Sequence, residues 1–211
     1  MDVFYLHGFA SGAGSSKAAW VGDRLRLAGI PFHSPDFNDP DFTTLTISRM
    51  LDQLGRALEH RSPAALVGSS LGGALAILAA DRFRDRVDRV ILLAPAVMFA
   101  KPGHHLLPPE RVEAWRRAGE MSFFHYGYGE QRPLGFGFYE DSLSYDPFHA
   151  ELAQPTLVFQ GLRDAAVDYR TVEQFARHRP NVTLSLLDDD HQLIASLPRI
   201  WHDAAPFLGV T

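Results

Sequence analysis

A serine between two glycines constrains this chain more than any other feature. The sequence GSSLG occupies positions 68–72, after an apolar run at 64–67 and before a helix-like run at 74–80. A G-x-S-x-G pattern at a strand-to-helix turn is typical of a nucleophilic serine, here Ser70. The two glycines prevent a clash in the tight turn and permit strained backbone angles. The same five residues would also fit an ordinary glycine- and serine-rich turn without a catalytic role. The assignment of Ser70 as a nucleophile therefore depends on residues elsewhere in the chain.

Length, composition and charge narrow the class of protein. The chain has 211 residues, of which 46% are hydrophobic, so we expect a single domain over 1–211. A net charge of −5 argues against nucleic acid or an anionic membrane as the partner. The absence of cysteine excludes disulfides and thiolate metal sites.

Two further features bear on location. No stretch approaches the roughly 18 apolar residues of a membrane span. The chain starts directly with a strand-like run at 3–6, without a basic leader or a small-residue cleavage site, so a cytoplasmic location is expected.

Strand-length and helical patterns alternate along the chain. Six apolar runs have the length of strands, and they lie at 3–6, 30–34, 64–68, 87–94, 156–160 and 182–187. Helical periodicity lies between most of them or after them, at 16–28, 43–60, 74–80, 169–178 and 197–208. This alternation predicts right-handed βαβ units. The expected fold is a three-layer α/β structure with a mainly parallel six-stranded sheet in the order 2-1-3-4-5-6 and helices on both faces.

The region from about 99 to 151 interrupts this alternation. It contains a helical pattern at 109–119 and then a stretch rich in aromatic residues and glycine, with no clear strand–helix unit. Irregular insertions of this length usually cover a functional site or are mobile, and we interpret this one as a cap or lid. Four of its aromatic residues, Phe99, Phe123, Phe124 and Tyr126, are candidates for a substrate pocket. Alternatively, such aromatics patch the edge of the core.

A serine hydroxyl needs a general base and an acid that orients the base. His191 follows the last predicted strand and is expected at the same sheet edge as Ser70. Asp164 lies in the loop after the fifth predicted strand, and Asp168 is its rival later in that loop. The acids at 188–190 are also available, although a neighbour in sequence seldom reaches the correct ring nitrogen.

The oxyanion of an acyl-transfer reaction needs backbone N–H donors. Leu71 follows the serine at the start of a helix and supplies one donor. Phe9, in the loop after the first strand, is our choice for the second. In the predicted sheet order, Phe9 and Ser70 flank the point where the order reverses, which is where ligands bind in such sheets. His7, at the end of the first strand, suits a structural role.

Two other chemistries have weak support. Gly12, Gly14 and Lys17 suggest a phosphate loop, but neither a Gly-Lys-Ser/Thr sequence nor G-x-G-x-x-G occurs. Histidines at 104, 105 and 125 lie in the insertion without a ligand-spaced carboxylate pattern, so we expect no metal and no cofactor.

These segments together resemble the α/β-hydrolase superfamily, and most of all its small, esterase-like serine hydrolases. The matching segments are LHGF at 6–9, GSSLGG at 68–73, QGLRD at 160–164 and DH at 190–191. The resemblance covers nearly the whole chain except the insertion, and it implies the order nucleophile, acid, base that Ser70, Asp164 and His191 keep. The two antiparallel strands that usually open the fold have no counterpart here.

The resemblance implies a serine hydrolase that cleaves carboxylic esters or thioesters through an acyl-enzyme. An apolar acyl or aryl group would suit the aromatic insertion. Amide bonds and carbon–carbon bonds are cleaved by the same triad, and a non-catalytic ligand-binding protein on a hydrolase scaffold is the alternative from another class. The resemblance indicates the reaction chemistry rather than one substrate, because the same fold serves many substrates.

Overall fold

The computed structural model describes residues 1–61, 63–99, 101 and 107–210. The strands are β1 (Val3–Leu6), β2 (Phe32–His33), β3 (Ala64–Ser69), β4 (Val87–Leu93), β5 (Glu120–His125), β6 (Glu130–Gly135), β7 (Thr156–Gly161) and β8 (Val182–Leu187). The helices are α1 (Ser16–Leu27), α2 (Ile47–Leu58), α3 (Leu71–Arg82), α4 (Pro109–Ala118), α5 (Gly137–Ser142), α6 (Tyr169–Arg177) and α7 (Leu197–Phe207), with a 3₁₀ turn at Arg84–Arg86.

Six strands form one parallel sheet in the order β2-β1-β3-β4-β7-β8. The predicted α/β class and strand order are therefore confirmed; only the strand numbers shift, because the insertion adds β5 and β6. The order reverses at β1 and β3, where Leu6 pairs with Gly68 at the carboxyl ends. The loops that leave these two strands consequently start side by side.

Apolar side chains cover both faces of the sheet. Leu6, Leu66 and Leu92 belong to a cluster that also contains buried residues of α2, α3 and α6. Their strand neighbours, such as Val67 and Leu93, belong to a second cluster with residues of α1 and α7. Alternate residues of each strand thus pack against helices on opposite faces, which explains why the strands read as nearly continuous apolar runs.

Two elements are shorter than predicted. The run at 30–34 pairs only at Phe32–His33. The helix predicted from residue 43 begins at Ile47, and its N-cap is Thr46, whose side chain accepts a hydrogen bond from the Arg49 N–H. Thr44 is drawn into a turn instead, because the Asp41 carboxylate accepts both its N–H and its hydroxyl. Local side-chain bonds of this kind compete with helix formation.

The insertion contains more regular structure than the sequence suggested. After α4, the strands β5 and β6 form an antiparallel hairpin, with Glu120 opposite Gly135 and His125 opposite Glu130. The hairpin was missed because residue polarity and burial disagree at the end of β5, where the apolar Phe124 is exposed and the polar His125 is fully buried. Phe123, Leu134 and Trp115 join the larger core cluster. Part of the aromatic content of the insertion therefore does extend the core.

Candidate active site

Ser70 lies at the end of β3 and at the N-cap position of α3. Its φ is 54° and its ψ is −116°, a strained combination for a residue with a side chain. The backbone is locked there because the Ser70 N–H donates to the Leu93 carbonyl at 2.9 Å and the Ser70 carbonyl accepts from the Ala96 N–H at 3.1 Å. The hydroxyl is thereby held at the helix N-terminus, where developing negative charge is favoured.

The flanking glycines are required by close approach rather than by φ. A Cβ on Gly68 would overlap the backbone of Gly72, and a Cβ on Gly72 would overlap the Leu6 carbonyl. Backbone atoms cannot move aside as a flexible side chain can, so alanine at either position would displace β1 or α3. The expected relief of a clash is therefore visible in the contacts around the two glycines, whereas the strained backbone angle of the turn falls on Ser70 and not on either glycine.

His191 lies in the loop after β8 and its ring connects Ser70 to Asp164. Its Nε2 is 3.0 Å from Ser70 Oγ, and its Nδ1 is 2.7 Å from Asp164 Oδ2. A carboxylate oxygen can only accept, so the proton of the neutral ring is on Nδ1 and Nε2 is left to accept the serine proton. The three residues are in the arrangement that a serine nucleophile requires.

Asp164 is well suited to orient the ring. Its side chain is fully buried, and its Oδ1 accepts the backbone N–H groups of Ala166 and Val167, both at 2.8 Å. Burial by itself would raise the pKa of Asp164, but the hydrogen bonds from His191, the Val167 N–H and Gln160 outweigh it and hold the pKa below its ordinary value. The carboxylate is therefore ionised at neutral pH.

The rival acids have other partners. Asp168 caps α6 by accepting the Arg170 N–H at 3.0 Å, and its side chain is 56% exposed. Asp188 pairs with Arg163 at the surface. Asp189 is buried and accepts the Ser196 N–H at 2.9 Å, so it shapes the loop that carries His191.

The backbone of Gly161, at the end of β7, lies in close contact with the loop that precedes His191. A Cβ on Gly161 would come within 2.6 Å of the carbonyl oxygens of both Asp189 and Asp190. The loop before His191 therefore rests directly on the bare backbone of Gly161. This contact sets how far His191 stands from Asp164, a role that the sequence did not reveal.

Lys17 supports the same loop from α1. Its side chain is buried, and its Nζ donates to the Gln192 carbonyl at 3.0 Å. Burial lowers the pKa of Lys17 to about 8, while the negative charges of Asp164, Asp190 and Asp189 oppose that shift. The lysine that suggested a phosphate loop thus points into the protein, next to the residue that follows His191.

The two expected oxyanion donors have no hydrogen-bond acceptor among the described residues. Within the described part of the chain, neither the Phe9 N–H nor the Leu71 N–H makes a hydrogen bond. His7 helps to orient the first of them, because its Nδ1 donates to the Gly8 carbonyl at 3.0 Å while its Nε2 accepts the Phe37 N–H at 3.1 Å. The Gly8 carbonyl and the Phe9 N–H belong to one trans peptide and point in opposite directions, so this bond sets the direction of the N–H.

The four proposed pocket residues separate into different environments. The Phe123 ring packs edge to face on Phe9, with centroids 5.3 Å apart. Phe99 is partly buried against the larger core cluster. Phe124 and Tyr126 are 46% and 77% exposed and pack on each other instead. Only Phe123 of the four is brought into ring contact with Phe9, and strand alternation turns Phe124 to the other face of the hairpin.

The described residues hold neither a candidate metal site nor a membrane-spanning helix. Among the described residues, no three His, Cys, Asp or Glu side chains are grouped so that they could hold a metal ion. His104 and His105 lie outside the described residues. No helix in the described ranges is long and apolar enough to cross a membrane.

Comparison with known proteins places the chain in a family. The family model described as "Uncharacterised protein family (UPF0227)" matches residues 2–203. The chain belongs to this family. One curated relative of this UPF0227 chain is the biotin biosynthesis bifunctional protein BioHC of Teredinibacter turnerae, with 30% identity over 133 residues. The match covers 58% of this chain and 22% of the relative, so the chain spans about a fifth of that protein's length.

Solved structures show what fold the UPF0227 chain has. Alpha/beta hydrolase domain-containing protein 10 from mouse superposes with a TM-score of 0.83 at 22% identity, covering 99% of this chain and 89% of that one. Est1E from Butyrivibrio proteoclasticus, with ferulic acid bound, gives 0.82 at 21% identity, covering 98% and 87%. The resemblance to α/β hydrolases that the motifs indicated is therefore confirmed at the level of the fold.

Proposed function

We propose that this UPF0227 chain is a serine hydrolase that cleaves carboxylic esters or thioesters through an acyl-enzyme. The observation that carries the proposal is the continuous hydrogen-bonded series from Asp164 through His191 to Ser70 at the carboxyl edge of the sheet. The series is combined with a strained serine turn and with two N–H groups that have no acceptor among the described residues. The α/β-hydrolase fold supports the proposal but does not carry it, because function resides in the site.

The first half of the reaction forms the acyl-enzyme. Ser70 Oγ attacks the acyl carbon while its proton passes to His191 Nε2. The carbonyl oxygen becomes an oxyanion, which accepts hydrogen bonds from the Phe9 and Leu71 N–H groups. Asp164 stabilises the imidazolium. When the tetrahedral intermediate collapses, the C–O or C–S bond breaks and His191 returns its proton to the leaving alcohol or thiol.

The second half of the reaction releases the acid. His191 takes a proton from a water molecule, whose oxygen attacks the acyl carbon of the Ser70 ester. The same two N–H groups hold the oxyanion, and His191 then protonates Ser70 Oγ as the ester bond breaks. The products are the carboxylic acid and the free enzyme, and no cofactor enters either half.

We further propose that residues 99–151 act as a cap within one hydrolase domain spanning 1–211, and that its aromatic face selects the acyl group. Phe123 and Phe138 pack on Phe9, so aromatic rings stand next to a proposed oxyanion donor. Such surroundings favour an apolar acyl or aryl group over a charged one. The Est1E structure, which holds ferulic acid, shows that another protein of this fold binds an aryl acid.

The test is hydrolysis of a panel of p-nitrophenyl esters and acyl thioesters of increasing chain length. We expect turnover in the wild type, and a loss of about 10⁶ in kcat in Ser70→Ala. Ser69→Ala is the matched control and should keep its activity, because Ser69 is the last residue of β3 and precedes the turn. Undiminished hydrolysis by Ser70→Ala would exclude the mechanism. No turnover by the wild type on any substrate would favour amide or carbon–carbon bond cleavage, or a binding protein.

A further inference from the structure

A fully buried histidine lies where the insertion meets the loop after β1. His125 ends β5, and its ring is stacked on Tyr128 with centroids 4.1 Å apart and meets Phe42 edge to face at 4.8 Å. The ring is 0% exposed. A polar ring in such surroundings is stable only if both of its nitrogens have partners.

The hydrogen bonds of His125 define its form. The Tyr128 N–H donates to Nδ1 at 3.2 Å, so Nδ1 carries no proton. Nε2 is 3.1 Å from Asn38 Oδ1 and is therefore the donor. Burial lowers the pKa of His125, which agrees with a neutral ring. Protonation of Nδ1 would remove one of the two acceptors of the Tyr128 N–H, the other being the His125 carbonyl at 3.1 Å.

Asn38 links His125 to the loop at 8–12 through hydrogen bonds on both sides of its amide. Its Nδ2 donates to the Ser11 carbonyl at 2.8 Å and to Asp36 Oδ1 at 2.7 Å, so its Oδ1 is the atom that faces His125. The amide of Asn38 thus has a fixed orientation with a donor side toward the loop and an acceptor side toward the histidine.

A second contact joins the hairpin to the same loop. The Tyr126 N–H, one residue after His125, donates to the Ala10 carbonyl at 2.7 Å. Ala10 has a φ of 50°, which is unfavourable for a residue with a side chain, so its conformation depends on such external contacts. Ala10 directly follows Phe9. The backbone immediately after the proposed oxyanion donor is therefore held by residues of the insertion.

We propose that His125 is a positioning residue that, through Asn38, holds the loop at 8–12 so that the Phe9 N–H is aimed at the oxyanion. This inference rests on the proposed hydrolase function and goes beyond it, because it makes the insertion part of the oxyanion apparatus. Loss of the connection lets the loop relax away from the strained Ala10 conformation. Since the N–H binds charge that develops only in the transition state, the loss lowers kcat and leaves KM nearly unchanged.

Two substitutions of His125 each preserve one of the two hydrogen bonds that its ring makes. His125→Asn places an amide oxygen near the position of Nδ1, where it can accept the Tyr128 N–H, but it does not reach Asn38. His125→Gln extends an amide N–H toward Asn38 and loses the Nδ1 acceptor. His149→Asn is the matched control, because this insertion histidine is 73% exposed and bonds only to Asp146 and neither to Asn38 nor to the loop at 8–12 among the described residues.

Kinetics on the p-nitrophenyl ester that the wild type hydrolyses fastest test the proposal. We expect kcat of His125→Asn to fall by about tenfold to a hundredfold at nearly constant KM, since small displacements of a catalytic group have effects of that size. His125→Gln should recover a large part of the loss, and His149→Asn should match the wild type. An unchanged kcat in folded His125→Asn, or an equal loss in both His125 variants, would overturn the proposal.

A variant of Asn38 keeps the test decisive if the His125 variants do not fold. Asn38→Asp preserves the volume and the oxygen that faces His125, but it replaces the donor to the Ser11 carbonyl and to Asp36 Oδ1 with a carboxylate oxygen that repels both acceptors. It should lower kcat at constant KM as His125→Asn does, and wild-type kcat would contradict the inference. Ser70→Ala is measured in the same series. Activity in that variant would contradict the hydrolase mechanism itself, whereas wild-type kcat in folded His125→Asn would contradict only the role of His125.

Discussion

The strand-end loops and the insertion are held in place in different ways. Around the triad, the backbone does most of the positioning: Ser70 is fixed by bonds of its own peptide groups, and Gly161 lets two carbonyls rest on it. The insertion has backbone bonds to the rest of the chain at Tyr126 and Gly135, but it also depends on side chains, among them the Asp141 carboxylate on Ser48 and the His125 ring on Asn38. Backbone contacts tolerate many side-chain changes, whereas side-chain contacts are lost one substitution at a time. We therefore expect the geometry of the strand-end loops to survive most side-chain substitutions. The placement of the insertion should change with single substitutions.

Among substitutions that leave Ser70 in place, the largest effect is expected at Asp164, the acid of the proposed triad. Asp164→Asn keeps the shape but can present an N–H to His191, which favours the wrong tautomer. We expect kcat to fall by about 10⁴. Asp168→Asn is the matched control, because that residue caps α6 and has no contact with His191 among the described residues. The measurement is kcat for ester hydrolysis by Asp164→Asn and by Asp168→Asn. Equal losses would mean that the acid is misassigned.

The pH dependence of stability tests the same carboxylate. Its pKa is lower in the folded protein than in the unfolded chain, so its contribution to the free energy of unfolding is present above its unfolded pKa and is lost as the pH falls through the folded value. Denaturant titrations in the acid range should show a weaker loss of stability with falling pH in Asp164→Asn than in the wild type. Parallel profiles would contradict an ionised, hydrogen-bonded Asp164.

Lys17 tests whether the loop that carries His191 also depends on a side chain. Lys17→Met keeps most of the buried volume but leaves the Gln192 carbonyl without its donor. We expect kcat to fall by about tenfold, while the free energy of unfolding changes little or rises, because a buried charge is removed. Urea unfolding and ester kinetics give the two numbers. Arg26→Met, an exposed change in the same helix, is the control. Wild-type kcat in Lys17→Met would show that the backbone alone positions the loop.

The face of the hairpin that contacts Phe9 should respond in substrate preference rather than in rate, unlike His125, which acts on kcat. Phe123→Ala removes a ring that contacts Phe9, and we expect the optimal acyl chain length to shift, with several-fold changes in relative kcat/KM. Phe124→Ala deletes the adjacent, exposed ring and should leave the preference unchanged. The ester panel compares the two directly. A shift in Phe124→Ala alone would mean that the substrate meets the opposite face of the hairpin.

The sequence predicted the strand-end loops better than it predicted the insertion. Ser70, Asp164 and His191 were candidates from the sequence because each follows a strand whose apolar run is visible there, and parallel strands place such loops at one edge. The choice of Asp164 over Asp168 depends on hydrogen bonds from Ala166 and Val167 that no local pattern displays.

The contacts that were missed join residues far apart in the chain. His125 and its partner Asn38 are separated by 87 positions, and Lys17 and Gln192 by 175. Neither pair has a local motif, because each depends on how separate elements pack. The hairpin was hidden for a related reason: an exposed Phe124 next to a buried His125 reverses the polarity that a strand pattern would show.

The most direct measurement of the central claim is labelling with a fluorophosphonate probe, read by intact mass and peptide mapping. Such probes react with a serine only where a base activates it and N–H donors stabilise the product. We expect one adduct per chain, on the peptide that contains Ser70, in the wild type and in Ser69→Ala, and none in Ser70→Ala. A wild-type protein that stays unlabelled, or an adduct that persists in Ser70→Ala, would contradict the assignment of Ser70 as the nucleophile.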